Sequence, residues 1–274
     1  MTKKSRSTLA SIFVVFVSLF PNLGRRLWQR WYDFLASYDD KEQLRFMNYG
    51  YDAGQQIQLA EEDKDFQFQI QLYAHVVNDL NLTDKHLLEV GSGRGGGIDY
   101  LSRNHSLKSL TGIDLSDRAI ERCKVDYTDQ RLEFIQGSAD KLTVASNSKD
   151  IVINVESSHC YPDVYGFLNE VMRVLVPGGK LAICDIRTPS SMDKLEKAIN
   201  DCGFSLENKQ TITPQVISAL EKMSDDRIKI AETMPSFLKK AFTDFAGVKS
   251  SAAYEMMKNN KLVYKSFLLA KPEK

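Results

Sequence analysis

The residues best suited to chemistry lie in one run, Leu87-Leu88-Glu89-Val90-Gly91-Ser92-Gly93-Arg94-Gly95-Gly96-Gly97. An apolar stretch ends there in five glycines over seven positions. Glycine lets a backbone turn tightly and approach a ligand with no Cβ in the way. Gly91, Gly93 and Gly96 satisfy the spacing GxGxxG, a weak pattern that admits dinucleotides and other nucleosides alike. Asp114 ends a second apolar run about 20 residues on, where a carboxylate accepts hydrogen bonds from two ribose hydroxyls. Beyond a fourth apolar run stands His159, whose ordinary pKa near 6.5 suits it to take a proton at neutral pH. The alternative is a histidine that caps a helix or orders the loop. Glu156 is a second candidate base, or a group that orients His159 or the substrate. Cys160 is read as packing. Tyr49, Tyr51 and Tyr161 are candidate walls of the substrate site, or core aromatics.

These residues need a sheet to gather them. From residue 83 short apolar runs alternate with amphipathic stretches, the pattern of βαβ units on a parallel sheet. Strands are predicted at His86–Val90, Ser109–Asp114, Leu132–Gln136, Asp150–Val155 and Lys180–Cys184, then near Phe204–Thr211 and at Leu262–Ala270. Helices are predicted at Gly96–Asn104, Asp117–Asp126, Val164–Leu175 and Leu195–Cys202. In the third, Phe167, Val171, Val174 and Leu175 share one face and should lie on the sheet. Thr213-Pro214 reads as a helix cap with proline in the first turn. A helical insertion of about 50 residues, roughly 213–260, therefore precedes the last strand, read as a cap over the ligand crevice.

Composition narrows the function classes. Of 274 residues, 43% are apolar and 26% charged, enough for a real core. Lys and Arg number 36 and so do Asp and Glu, and the formal net charge is zero. A general nucleic-acid binder needs a basic surplus, so no such partner is expected. The four cysteines form no CxxC pair, and neither a disulfide scaffold nor a metal site is expected.

Four motifs in order resemble class I S-adenosylmethionine-dependent methyltransferases: Glu89-Val90-Gly91-Ser92-Gly93-Arg94-Gly95, Gly112-Ile113-Asp114-Leu115-Ser116, Gly137-Ser138-Ala139-Asp140-Lys141-Leu142 and Arg173-Val174-Leu175-Val176-Pro177-Gly178-Gly179-Lys180-Leu181. Two further stretches, Asn154–Tyr161 and Arg45–Tyr51, together with the three consecutive glycines, resemble the phthiotriol/phenolphthiotriol dimycocerosate methyltransferases of mycobacteria, from about Trp28 to Phe267. The resemblance implies a Rossmann-like α/β fold: a mostly parallel seven-stranded sheet, helices on both faces, and the helical insertion before the last strand. It implies S-adenosyl-L-methionine as cofactor, with Glu89, Gly91, Ser92, Gly93 and Gly95 toward the methionine part, Asp114 and Leu115 at the ribose, Ala139 and Asp140 flanking adenine, and Asn154 nearby. It implies O-methylation of a hydroxyl on a lipidic or polyketide-like molecule. Carbon methylation of a sterol-like lipid is an alternative, since Met47–Tyr51 also resembles enzymes of that kind. A non-catalytic membrane-surface protein on the same fold is another. A nicotinamide oxidoreductase is disfavoured, for nothing resembles its second half.

The start of the chain reads differently. Lys3, Lys4, Arg6, Arg25, Arg26 and Arg30 all precede the first acidic residue, Asp33, and flank the uncharged run Leu9–Phe20. That run is short of the ~20 residues of a spanning helix. Residues 1–40 are therefore set apart from the catalytic domain, 41–274, and residues 1–32 are expected at a membrane surface, held by apolar insertion and anionic headgroups. A docked helix and a cleaved signal are the alternatives. The expected location is cytoplasmic, peripheral at the membrane.

Overall fold

The computed structural model describes residues 45–55, 57–232, 239, 243 and 247–273. The reading of residues 1–32 as a membrane-surface segment lies outside these residues, as does part of the expected cap.

Seven strands form one sheet: β1 (His86–Val90), β2 (Ser109–Asp114), β3 (Leu132–Gln136), β4 (Lys149–Val155), β5 (Leu175–Arg187), β6 (Ser205–Thr211) and β7 (Val263–Ala270). Their order is β3-β2-β1-β4-β5-β7-β6. Pairing is parallel except at β7, which runs antiparallel to both β5 and β6. The chain leaves β1 toward β2 and β3, then returns to place β4 on the other side of β1. The strand ends part at that reversal, which opens the crevice where ligands bind in such sheets.

Among the described residues seven α-helices surround the sheet: α1 (Gln67–Val77), α2 (Gly96–Asn104), α3 (Asp117–Asp126), α4 (Val164–Val174), α5 (Pro189–Asp201), α6 (Thr213–Glu232) and α7 (Ala252–Lys258). Strand residues alternate between two cores. Leu87, Ile151, Ile153, Ala182 and Cys184 join Ile70 of α1, Leu101 of α2 and Leu220 of α6. Leu88, Val90, Val152, Leu181 and Ile183 join Phe167 and Val171 of α4 and Leu195 of α5. A period of two on strands buried on both faces gives this division.

Several boundaries depart from the sequence expectations. β5 is longer than Lys180–Cys184: Leu175 already pairs with Lys149, and Asp185–Arg187 find partners in Val263–Lys265 of β7. α5 starts at Pro189 rather than Leu195, because the Thr188 hydroxyl accepts from Ser191 N and proline suits the first turn. The Thr213 hydroxyl does not cap α6; it accepts the β7 amide of Tyr264 at 2.8 Å. α1 has no counterpart among the predicted elements. Its alternation of glutamine with apolar residues hides the helical period, although Gln69 and Gln71 are both buried.

Candidate active site

β1 delivers the chain into the glycine loop. Gly91, at φ +79°, leaves no room for a side chain: a Cβ there would meet Ser157 Oγ at 2.4 Å and Tyr161 Oη at 2.8 Å. Gly91 N and Ser92 N donate to Ile113 O at the end of β2. Asp114, one residue on, ties the loops together. Its Oδ2 accepts from Gly93 N at 2.8 Å and its Oδ1 from Ser116 N at 2.9 Å. One carboxylate thus sets the loop and still presents oxygen lone pairs to the crevice.

An open cavity occupies this crevice. Gly91, Ser92, Gly93, Asp114, Leu115, Ala139 and Asp140 all stand on its wall, as do Glu156, Cys160 and Tyr161. Not every expected site residue reaches it. Gly95 faces away, its Cβ position abutting Tyr127 and Phe134. Asn154 is fully buried behind the wall, its Nδ2 within hydrogen-bond distance of Val90 O, Ser157 Oγ and Tyr161 Oη. Glu89 lies beneath the loop, fully buried, and Oε1 accepts from Tyr73 Oη at 2.7 Å. Burial, against the opposing Tyr73 bond, pushes the Glu89 carboxyl up to about 8. Tyr49 and Tyr51 are off the wall as well. Tyr51 stacks on His75 with centroids 4.5 Å apart, and both tyrosines pack on the apolar core that covers one sheet face.

The polar set fits a nucleoside with a cationic amino-acid tail. Asp114 and Asp140 offer carboxylate acceptors on the wall. Glu89 Oε2 and Ser92 Oγ are buried without a hydrogen-bond partner. A buried carboxylate that lacks a counter-charge favours a cation brought beside it. Among the described residues, no three His, Cys, Asp or Glu side chains are grouped to hold a metal.

After β4 come Glu156 and a single 3-10 turn, Ser158–Cys160. His159 Nδ1 lies 2.7 Å from Oδ1 of Asp185 on the adjacent β5. Asp185 is fully buried; it also accepts from Ser158 Oγ at 2.5 Å and pairs with Arg187 Nη2 at 3.1 Å. Burial opposes the charge on Asp185, yet His159 and Arg187 hold its pKa down to about 2. Burial likewise opposes protonation of His159, but the sulfur of Cys160 and the Asp185 carboxylate raise the imidazole well above its usual value. The His159 side chain remains 29% exposed and is not on the cavity wall. Glu156 is on the wall, and burial lifts its carboxyl to about 7 despite bonds from Tyr264 Oη and Tyr49 N.

Asp185 was not among the expected site residues. Its signal in the sequence is a lone carboxylate inside the apolar run Leu181-Ala182-Ile183-Cys184-Asp185-Ile186. A charge on a buried strand is costly unless paired.

Known proteins resemble this chain in sequence and fold. Residues 88–183 match the family described as Methyltransferase domain. The chain is 32% identical over 253 residues to the phthiotriol/phenolphthiotriol dimycocerosates methyltransferase of Mycobacterium leprae, covering 91% of this chain and 94% of that one. It is 34% identical over 230 residues to the fatty-acid O-methyltransferase of Mycolicibacterium smegmatis, with 83% of each chain covered. The crystal structure of geranyl diphosphate C-methyltransferase from Streptomyces coelicolor shares the fold at a TM-score of 0.66 and 14% identity, covering 90% of this chain and 97% of that one. The chain belongs to the phthiotriol/phenolphthiotriol dimycocerosates methyltransferase family, on the class I fold that takes its methyl group from S-adenosylmethionine.

Proposed function

We propose that the protein methylates a hydroxyl of a lipidic or polyketide-like molecule, with His159 as the general base. The observation that carries this reading is the 2.7 Å contact from His159 Nδ1 to the buried Asp185, beside the cofactor cavity. When bound, S-adenosylmethionine supplies a methyl carbon already activated by a sulfonium. What remains for the chain is to hold the acceptor oxygen in line and to take its proton.

Asp114 would hold the ribose hydroxyls with Leu115 beside it, and Ala139 and Asp140 would flank the adenine. The backbone at Gly91–Gly93 would lie along the methionine part. Asn154 and Gly95 would act one layer back, by fixing that loop, with Glu89 buried beneath it. Asp185 fixes the imidazole so that Nε2 is the nitrogen offered to the acceptor. Tyr161 on the wall would contact the acceptor, whereas Tyr49 and Tyr51 support the site from the core. Support for a lipidic acceptor comes from the names of the relatives, a dimycocerosates methyltransferase and a fatty-acid O-methyltransferase. Residues 1–32 would bring the enzyme to the bilayer surface where such an acceptor resides.

The test is incubation with S-adenosylmethionine carrying an isotope-labelled methyl and a lipid extract, followed by mass spectrometry. A labelled methyl ether is the expected product. Label on carbon, or as a methyl ester, contradicts hydroxyl methylation.

A further inference from the structure

Residues 45–51 run across the cofactor cavity ahead of α1. Arg45, Phe46, Met47 and Asn48 form part of its wall. This strap sits directly on the glycine loop: a Cβ at Gly93 would lie 2.9 Å from Met47 Cε, and one at Gly96 would lie 2.5 Å from the Arg45 carbonyl oxygen. Its start is pinned by Arg45 to Asp63, a carboxylate 1% exposed that also takes both Nη atoms of Arg103 at 2.9 and 3.0 Å. At its far end Tyr51 N donates to Phe68 O at 2.8 Å.

Between these ends the strap is joined to the catalytic side of the crevice by Glu156. Tyr49 N donates to Glu156 Oε1 at 2.6 Å, and the same oxygen accepts from Tyr264 Oη at 2.7 Å. Glu156 adopts φ +46°, a left-handed conformation that a side-chain-bearing residue keeps only when its surroundings fix it. The β4 loop is thus bent to aim this carboxylate at a main-chain N–H of the strap. An N–H bound to a buried carboxylate is a strong bond, and lifting the strap would break it.

We propose that Glu156 is a positioning residue, whose carboxylate latches residues 45–51 over the bound nucleoside and governs how fast that nucleoside leaves. The proposal rests on the cofactor-site reading and not on the identity of the acceptor. It gives Glu156 a task separate from proton transfer by His159. Opening of such a cover commonly sets turnover.

The test follows release of radiolabelled S-adenosylhomocysteine from the full-length protein, chased with excess unlabelled compound, alongside hydrogen exchange of the 45–51 amides. Glu156→Ala should release about tenfold faster and lose protection at 45–51, as expected for the loss of one charge-assisted bond. Glu156→Gln, whose Oε1 still accepts both donors, should stay within about threefold of the wild type. Should Glu156→Ala not fold, Tyr264→Phe removes the second donor without changing the ring, and should give an intermediate release rate. Wild-type protein that takes up no nucleoside overturns the cofactor reading and the latch together. Normal uptake, with release and protection unchanged in the variants, overturns the latch alone.

Discussion

At the scale of the residue, His159 is defined by what holds it. A buried carboxylate at 2.7 Å fixes the ring and raises the pKa at the same time. Both effects favour proton acceptance by a neutral imidazole, but fewer molecules carry that form at pH 7. Turnover should therefore rise with pH along a limb lying above 6.5, measured in pH profiles of kcat. Asp185→Asn removes the charge that favours imidazolium, so the limb should move to lower pH while kcat falls. His159→Ala should keep cofactor affinity and lose roughly 10²–10⁴-fold in kcat, the range for a missing general base. Near-normal turnover by that variant ends the assignment.

Glu89 makes a second prediction at this scale. Its folded-state pKa, about 8, exceeds the ordinary 4.5, so between those values the folded state holds a proton that the unfolded state has released. Stability from this group is full below about 4.5 and is lost as pH rises through about 8. Glu89→Gln should remove that dependence, leaving the cofactor-free variant more stable than the wild type at pH 8.5 by ~1–3 kcal/mol, with little gain at pH 5. Thermal melts at the two pH values check it. Asp185 was hard to foresee at the residue scale, since 26 residues separate it from His159 and only the pairing of β4 with β5 brings them together.

At the scale of the element, the glycine loop depends on space. Gly91 sits at φ +79° with Ser157 and Tyr161 already filling the volume a methyl would need. Gly91→Ala should weaken S-adenosylhomocysteine binding by at least tenfold in calorimetry, because either the loop or the Ser157 turn must shift. Normal affinity would show that the loop is not the cradle described above. Strands β1 to β4, the glycine loop and Asp114 were legible because each of these strands is a short apolar run closed by glycine or a carboxylate. α1 was not, because buried glutamines interrupt its apolar face. The β5 extension past the Pro177-Gly178-Gly179 bend was also hidden. It depends on partners in β4 and β7 rather than on local preference. Tyr49 and Tyr51 stand close in sequence to wall residues, yet the strap turns their rings into the core, a direction that spacing alone does not give.

At the scale of the whole molecule, one carboxylate at the end of β2 links the sheet, the glycine loop and the crevice. The parallel order β2-β1-β4 brings Asp114, Glu156 and Tyr161 to the wall of one cavity at the strand ends. Among the described residues no helix is long and apolar enough to cross a membrane. The most direct measurement is isothermal titration of the full-length protein with S-adenosylhomocysteine, beside the Asp114→Ala variant. Saturable one-to-one binding by the wild type, weakened at least tenfold by Asp114→Ala in a variant that melts as a folded protein, is the predicted result. Equal affinity of the two proteins, or no binding by well-folded wild type, would contradict the account.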